Sequence, residues 1–314
     1  MVFYYVQFTT DFHLLTAMAV IDDLSSSKIT LIGPKTEMVS LLCSKFSVEH
    51  YAVDTRAPRI NYQAVLGSYI KAKSSSDHII ISPFVFPVFT FVYLLKKGII
   101  AKKIIRTDEG VGTYASISHY YNAYKLEAPD ASLLHCFLNA ALKKLAMQLT
   151  VLSGLCETQY IFNKHLIINQ EHKNKIIRNI EAIGKLDDLE GEVIYVSQPN
   201  VEKNFSTFGE YALFIQKIGR SFCSDRVVVK KHPSDNFDYI SYGFRVEEGL
   251  PLEVYNVESS IIFGFSSTAL LTAKVIGGCP QVYYLKISDG ILTYDSLSDF
   301  NQRLFEHYLT PHEQ

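Results

Sequence analysis

Three short stretches carry the residue types that handle anions and protons. The first is Lys230-Lys231-His232-Pro233, which closes the apolar run Val227–Val229. A β-branched run of that kind forms a buried strand, and Pro233, with no N–H for a ladder, ends it. Open α/β sheets bind ligands at the carboxyl ends of their strands, and two cations beside an imidazole suit an anion there. The second is Gly264-Phe265-Ser266-Ser267-Thr268, between the apolar run Ser259–Phe263 and a helical pattern from Ala269 to Ile276. A helix N-terminus offers free N–H groups and a favourable dipole to an anion, and hydroxyls add donors. The third is Thr107-Asp108-Glu109-Gly110, with Gly112 close behind, after a strand at Lys102–Arg106. A carboxylate there can take a proton from a hydroxyl, and glycines let backbone approach a ligand closely. Each stretch has a plain structural alternative: a solvated strand end, a single N-cap, or acids gathered at a helix start. Three consecutive hydroxyls exceed what one cap needs.

The elements that must position these residues alternate strand and helix. In the first half, strands are expected at Phe3–Phe8, Lys28–Ile32, Val48–Val53, His78–Ser82, Lys102–Arg106 and Tyr160–Phe162. Helical spacing falls at Phe12–Leu24, Glu37–Cys43, Tyr62–Lys73, from Pro83 to Lys97, and at Ser132–Thr150. A second series has strands at Val193–Val196, Val227–Val229, Phe244–Val246, Ser259–Phe263 and Val282–Leu285, with a helix over Thr207–Phe222. Such alternation implies parallel sheets covered on both faces, an α/β fold. The charged stretch Glu171–Leu189, with Gly184 and the Asp187-Asp188 pair, reads as a linker. The expected division is 1–185, 186–290 and a helical tail 291–314.

Length and composition agree with two domains: 314 residues, 48% of them hydrophobic. A net charge of −2 gives no global basic footprint, so nucleic acid is not an expected partner. The twenty tyrosines and twenty phenylalanines are mostly core material. The five cysteines lack metal-ligand spacing and read as buried thiols of a reducing compartment. Residues 1–8 are a strand, not a secretory signal. The run Ile79–Leu95 approaches membrane-spanning length, but Ser82, Pro83 and Pro87 break it into a strand and a helix with proline in its first turn. There is no Gly-rich P-loop and no Rossmann glycine fingerprint, which argues against ordinary kinases and dehydrogenases. Loose Asp-Asp pairs make no case for a metal-bound diphosphate. The expected site is metal-free and holds a nucleotide phosphate with His232, lysine and helix-end hydroxyls.

Taken together, the three stretches resemble the bacterial two-domain sialyltransferases, the group with lipooligosaccharide sialyltransferases and capsular polysialyltransferases. Asp108-Glu109-Gly110 resembles that family's acidic-acidic-Gly motif, His232-Pro233 its His-Pro motif, and Ser266-Ser267-Thr268 its paired-hydroxyl motif, in the family's order. Thr9-Thr10-Asp11-Phe12-His13-Leu14-Leu15 resembles its first loop and helix, which faces the acceptor. The resemblance spans roughly residues 1–285. It implies a GT-B architecture: two Rossmann-like domains whose parallel sheets face a central cleft that holds the active site. It implies Glu109 or Asp108 as general base, with Glu109 preferred, and His232 against the departing CMP phosphate. It further implies Ser266 and Ser267, with Thr268, Lys231, Pro233 and Gln198, around the phosphate, and Leu250-Pro251-Leu252-Glu253 facing cytosine and ribose. Thr9, Thr10 and Gly110 would meet the acceptor.

The implied reaction moves sialic acid from CMP-sialic acid to a glycan hydroxyl with inversion, without metal or cofactor, in surface polysaccharide or lipooligosaccharide synthesis. Imidazolium and helix N–H groups would stabilise the leaving phosphate. The expected place is the cytoplasm; Lys96-Lys97, Lys102-Lys103 and Lys143-Lys144 read first as solvated helix or strand ends, with peripheral contact at an anionic inner membrane as the alternative. Three other readings stay open: a transferase for another CMP-keto-sugar such as Kdo, a GT-B transferase for a UDP- or GDP-sugar, and a non-catalytic nucleotide-binding subunit of a polysaccharide assembly machine.

Overall fold

The computed structural model describes residues 2–21, 23–53, 65–66, 77–83, 103–108, 110, 113, 116–128, 130–152, 154, 156–163, 165–286 and 297–312. Glu109 and Gly112 lie outside the described residues, as do Lys96, Lys97 and Lys102; of the expected helices at Tyr62–Lys73 and from Pro83 to Lys97, only Val65 and Leu66, which are helical, and Pro83 are described. The chain forms two compact units, 1–113 with 141–183, and 114–140 with 184–314.

The first unit is built on a six-stranded parallel sheet. Its strands are β1 (Val2–Gln7), β2 (Lys28–Gly33), β3 (Val48–Ala52), β4 (Asp77–Ser82), β5 (Lys103–Arg106) and β6 (Glu157–Thr158). They lie in the order β3-β2-β1-β4-β5-β6. The order by sequence is therefore 3-2-1-4-5-6, the Rossmann arrangement, and its direction reverses between β1 and β4. Helices α1 (Asp11–Met18) and α2 (Glu37–Lys45) start at threonine N-caps, where Thr10 and Thr36 accept from the N–H groups of His13 and Val39. The last strand is Glu157–Thr158, not the expected Tyr160–Phe162; two residues suffice because only Ile105 and Arg106 pair with it.

Further along are α3 (Ile117–Glu127), α4 (Leu133–Leu152) and α5 (Gln170–Ile183). The expected linker at Glu171–Leu189 is corrected by α5, a fourteen-residue helix. Its charges lie on one face, while His172, Ile176, Ile180 and Ile183, at i, i+4, i+8 and i+11, are buried. Asp187 and Asp188, beyond it, are exposed as expected.

The second unit repeats the plan. Its strands are β7 (Val193–Val196), β8 (Val228–Lys230), β9 (Arg245–Glu247), β10 (Ile261–Gly264), β11 (Gln281–Leu285) and β12 (Thr310–His312). Their order is β12-β11-β10-β7-β8-β9, all parallel, again the Rossmann arrangement. Helices α6 (Phe208–Ser221), α7 (Thr268–Val275) and α8 (Asp299–Tyr308) complete it. The tail is thus more than a docked helix, because Thr310–His312 adds the outermost strand beside β11. The core is aromatic: Tyr195, Tyr211, Phe237, Tyr239, Phe263 and Phe265 are all buried in one cluster. No disulfide joins the cysteines, and Cys43 and Cys223 are exposed, which corrects the expectation that all five are buried.

Candidate active site

In the second unit, the reversal of strand order falls between β7 and β10, and β8 flanks β7 on the other side. The His-Pro strand end and the hydroxyl strand end were expected one strand–helix step apart. In the sheet, β9 lies beyond β8 at the edge, and β7 alone separates the two motifs. Three carboxyl ends therefore sit side by side: Ser197-Gln198 after β7, Lys231-His232 after β8, and Phe265-Ser266-Ser267 after β10. Gly264 permits the close approach, since a Cβ there would lie 2.8 Å from the Val196 carbonyl. The Ser266 hydroxyl donates to Gln198 Oε1 at 3.5 Å, linking the first strand end to the third.

The His-Pro turn is held from four directions. The Ser197 hydroxyl accepts from the His232 N–H at 3.0 Å, and the Ser197 N–H donates to the Lys230 carbonyl at 3.1 Å. Asp235 N–H donates to the His232 carbonyl at 2.9 Å, closing a four-residue turn with proline at its second position. The buried Asp235 carboxylate accepts from Phe237 N–H and from the Tyr239 hydroxyl, each at 2.9 Å. Tyr239 in turn meets Tyr211 at 3.0 Å, and Tyr211 meets Tyr195 at 2.7 Å, so a chain of buried hydroxyls runs from β7 to the turn. Last, His232 Nδ1 accepts from the Ser234 N–H at 3.1 Å. An acceptor Nδ1 carries no proton, which leaves the proton of the neutral ring on Nε2. Burial lowers the pKa of His232, with the Asp235 charge opposing it. The ring is thus a neutral Nε2–H donor, and the imidazolium expected from the sequence is replaced by a fixed dipole.

The two lysines diverge. Lys230 is buried, with Nζ 5.5 Å from the centre of the Tyr255 ring and 3.3 Å from the Glu247 carbonyl. Lys231 pairs with Glu248 at 3.1 Å. Glu253 is buried and accepts from the Thr272 hydroxyl of α7. Burial raises its pKa, and Thr272 and the Lys230 charge hold it down in part. Leu250 is half-buried and Pro233 exposed. Ser267 caps α7 by accepting from Ala269 N–H at 3.3 Å, and Ser266 and Thr268 flank it. No acid sits in the first turn of α7, so its positive end is not neutralised from within.

In the first unit, Thr9 and Thr10 follow β1. Thr9 Oγ1 lies 3.2 Å from His13 Nδ1, and Thr10 caps α1. His13 is buried; burial first, and the Lys143 charge second, push its pKa down to about 3. Asp108, 2% exposed, follows β5, and its Oδ2 accepts from Ile161 N–H at 2.5 Å. Its carbonyl accepts from the Thr16 hydroxyl at 3.5 Å. Gly110 takes φ 75°, a left-handed conformation that glycine adopts without strain, and its carbonyl accepts from Thr113 N–H.

Sequence reasoning passed over Ser197, Ser234, Asp235 and the buried cation Arg106, whose guanidinium stands 5.8 Å from the centre of the Tyr160 ring. A signal existed for Asp235, since proline followed two residues later by Asp marks a tight turn. None existed for Ser197, whose partner is 35 residues away in sequence.

Two Rossmann-ordered sheets in one chain, with hydroxyls and an imidazole gathered at one switch point, define a protein of the GT-B class. The chain is similar in fold to a Listeria monocytogenes protein assigned as a UDP-N-acetylglucosamine 2-epimerase, with a TM-score of 0.51, 11% identity, and coverage of 92% of this chain and 79% of that one. Two further structures align with it. One is UDP-GlcNAc 2-epimerase from Neisseria meningitidis, with TM-score 0.49, 11% identity, and 98% and 90% coverage. The other is spinosyn rhamnosyltransferase SpnG with thymidine diphosphate, with TM-score 0.44, 11% identity, and 94% and 83% coverage. No curated protein matches the sequence. The family model Alpha-2,8-polysialyltransferase (POLYST) matches residues 61–286. The chain belongs to this family, and its role is that of a sialyl-transferring glycosyltransferase.

Proposed function

We propose that the protein transfers sialic acid from CMP-sialic acid to a hydroxyl of a sialic-acid-bearing glycan acceptor, with inversion and without metal or cofactor. The observation that carries this reading is the meeting of Gln198, His232 and Ser266–Thr268 at three adjacent strand ends beside the α7 N-terminus. On this reading the Nε2–H of His232, the serine hydroxyls and the α7 N–H groups receive the phosphate oxygen that gains charge as the glycosidic bond to CMP breaks. Glu109 takes the acceptor proton. Asp108, engaged with the Ile161 N–H, fixes the chain immediately before Glu109. Glu253 and Leu250 meet the nucleoside, Lys231 and Pro233 border the phosphate, and Thr9, Thr10 and Gly110 meet the acceptor.

A capsular or lipooligosaccharide chain is the product class, and the enzyme works on the cytoplasmic side in peripheral contact with the inner membrane. Among the described residues, no helix is long and apolar enough to cross a membrane. The test is calorimetric titration of CMP, UMP, GMP and CMP-sialic acid with EDTA present, on wild type and His232→Ala. CMP compounds are expected to bind selectively and more weakly to the variant. Preference for UMP or GMP, or binding indifferent to His232, would overturn the reading.

A further inference from the structure

The ladder between β7 and β8 stops one bond short of the imidazole. Val196 pairs with Lys230, and the Ser197 N–H donates to the Lys230 carbonyl at 3.1 Å. Bonds in a parallel ladder are evenly spaced, so the next one would run from the His232 N–H to the Ser197 carbonyl. The Ser197 hydroxyl takes that N–H instead, at 3.0 Å. The acceptor has moved from backbone to side chain. The chain can therefore leave the sheet at His232 without orphaning its N–H, a group that needs a partner wherever water is excluded.

Among the described residues, His232 makes three hydrogen bonds. Those from the Ser234 N–H to Nδ1 and from the Asp235 N–H to the carbonyl arise inside the turn, so they move with it. Of the three, only the Ser197 bond crosses to β7, the strand whose next residue, Gln198, accepts from Ser266. Ser197 is wholly buried, so it does not itself meet a ligand. We propose that Ser197 is a positioning residue: through the His232 backbone it fixes where the imidazole stands relative to Gln198 and Ser266. A serine suits this task because its oxygen is an acceptor, whereas alanine would leave the His232 N–H with none. A displacement of about 1 Å at such a group can cost about 10²-fold in rate. The inference rests on the proposed transfer for its effect on rate, but its effect on the ring does not.

The test uses Ser197→Ala, which removes the acceptor, and Ser197→Thr, which keeps it, each in the full chain with and without His232→Ala. With CMP-sialic acid, Ser197→Ala should lose about tenfold to a hundredfold in kcat, while CMP affinity by calorimetry stays within about threefold of wild type. Ser197→Thr should recover most of the loss. In the His232→Ala background no ring is left to place, and Ser197→Ala should change kcat by less than about twofold. The second readout is the ring-nitrogen NMR signal of His232, assigned by its disappearance in His232→Ala. Wild type should show one neutral tautomer protonated on Nε2, Ser197→Ala a move toward averaged tautomers, and Ser197→Thr the wild-type pattern. Should Ser197→Ala fail to fold, Ser197→Cys, similar in shape and a weaker acceptor, is read by the same criteria. An unchanged ring signal, equal losses of kcat and CMP affinity, or losses that add fully to those of His232→Ala would each overturn the proposal. No turnover by wild type, with the ring signals as expected, would instead sink the transfer reading and leave Ser197 as the residue that holds the ring.

Discussion

The tautomer of His232 can be tested by choosing which amide replaces it. Nδ1 already accepts from Ser234 N–H, so the atom left to meet a phosphate is Nε2. Glutamine carries its amide nitrogen at about the reach of Nε2. Asparagine carries its amide at the position of Nδ1, where it would compete for Ser234. Loss of one preorganised donor to a developing oxyanion costs about 10²–10³ in rate, or about 2.7–4 kcal/mol. His232→Ala should therefore fall by that factor in kcat. His232→Gln should recover at least about tenfold of the loss, and His232→Asn should recover little. The assay is steady-state turnover of CMP-sialic acid with a sialylated acceptor, kcat and KM separated, across neutral pH. Because burial puts the folded pKa of His232 below its ordinary value, the ring is already neutral above that pKa. The rate should not climb as pH falls through 6.5. Asparagine equal to or better than glutamine, an alanine variant within tenfold of wild type, or a rate that rises tenfold per pH unit toward acid would each refute the neutral Nε2–H donor.

Other outcomes concern the supporting structure. His13 and His172 are buried, with pKa values lowered by burial to about 3 and about 4. Between those values and the unfolded value of about 6.5, the unfolded chain binds more protons, so stability is lost as pH falls. Each should cost about 2 kcal/mol at pH 5 relative to neutral pH. Urea unfolding of His172→Phe should show about half that slope, and an unchanged slope would contradict it. Asp108→Ala strands the Ile161 N–H and should cost about 1–3 kcal/mol of stability, whereas Glu109→Gln should lose turnover at unchanged melting temperature; the reverse pattern would exchange their roles. Tyr239→Phe removes a donor to buried Asp235 and should cost about 1–3 kcal/mol. In line with a loosened turn, kcat should fall more than CMP affinity, and equal effects on both would assign Tyr239 to ground-state binding.

Strand–helix alternation made both sheets legible, because parallel strands buried on both faces read as plain apolar runs such as Val193–Val196 and Ile261–Gly264. The three motifs were legible for a related reason: glycines, paired hydroxyls and a proline at strand ends are local requirements. What failed were features that depend on partners far away in sequence. Helix α5 looked like a linker because its residues are mostly polar, and only its i, i+4 isoleucines show that one face is buried. Strand β12 is three residues containing a proline, a pattern that argues against a strand except at a sheet edge, which is where it lies.

The divergence of Lys230 and Lys231 bears on how the site handles charge. The sequence suggested a cationic cradle, and such a cradle would hold CMP tightly after reaction as well as before it. In the structure, Lys231 is paired with Glu248 and Lys230 lies under the strand end beside Tyr255. Apart from Lys231, whose charge is paired with Glu248, the groups gathered at the three strand ends are neutral: an Nε2–H, serine hydroxyls and the N–H groups of α7. On the proposed reaction, the phosphate of the donor carries one charge and gains a second as the sugar departs. Fixed dipoles gain most from that added charge, so their contribution is larger in the transition state than in the ground state. Dipoles also lack the long-range field of a cation pair, which salt at about 0.1 M screens beyond roughly 10 Å. CMP affinity should therefore change by less than about threefold when salt is raised tenfold from low ionic strength. A loss of tenfold or more in a calorimetric salt series would mean that the charge of Lys231 acts on the phosphate rather than on Glu248, and would overturn the neutral site.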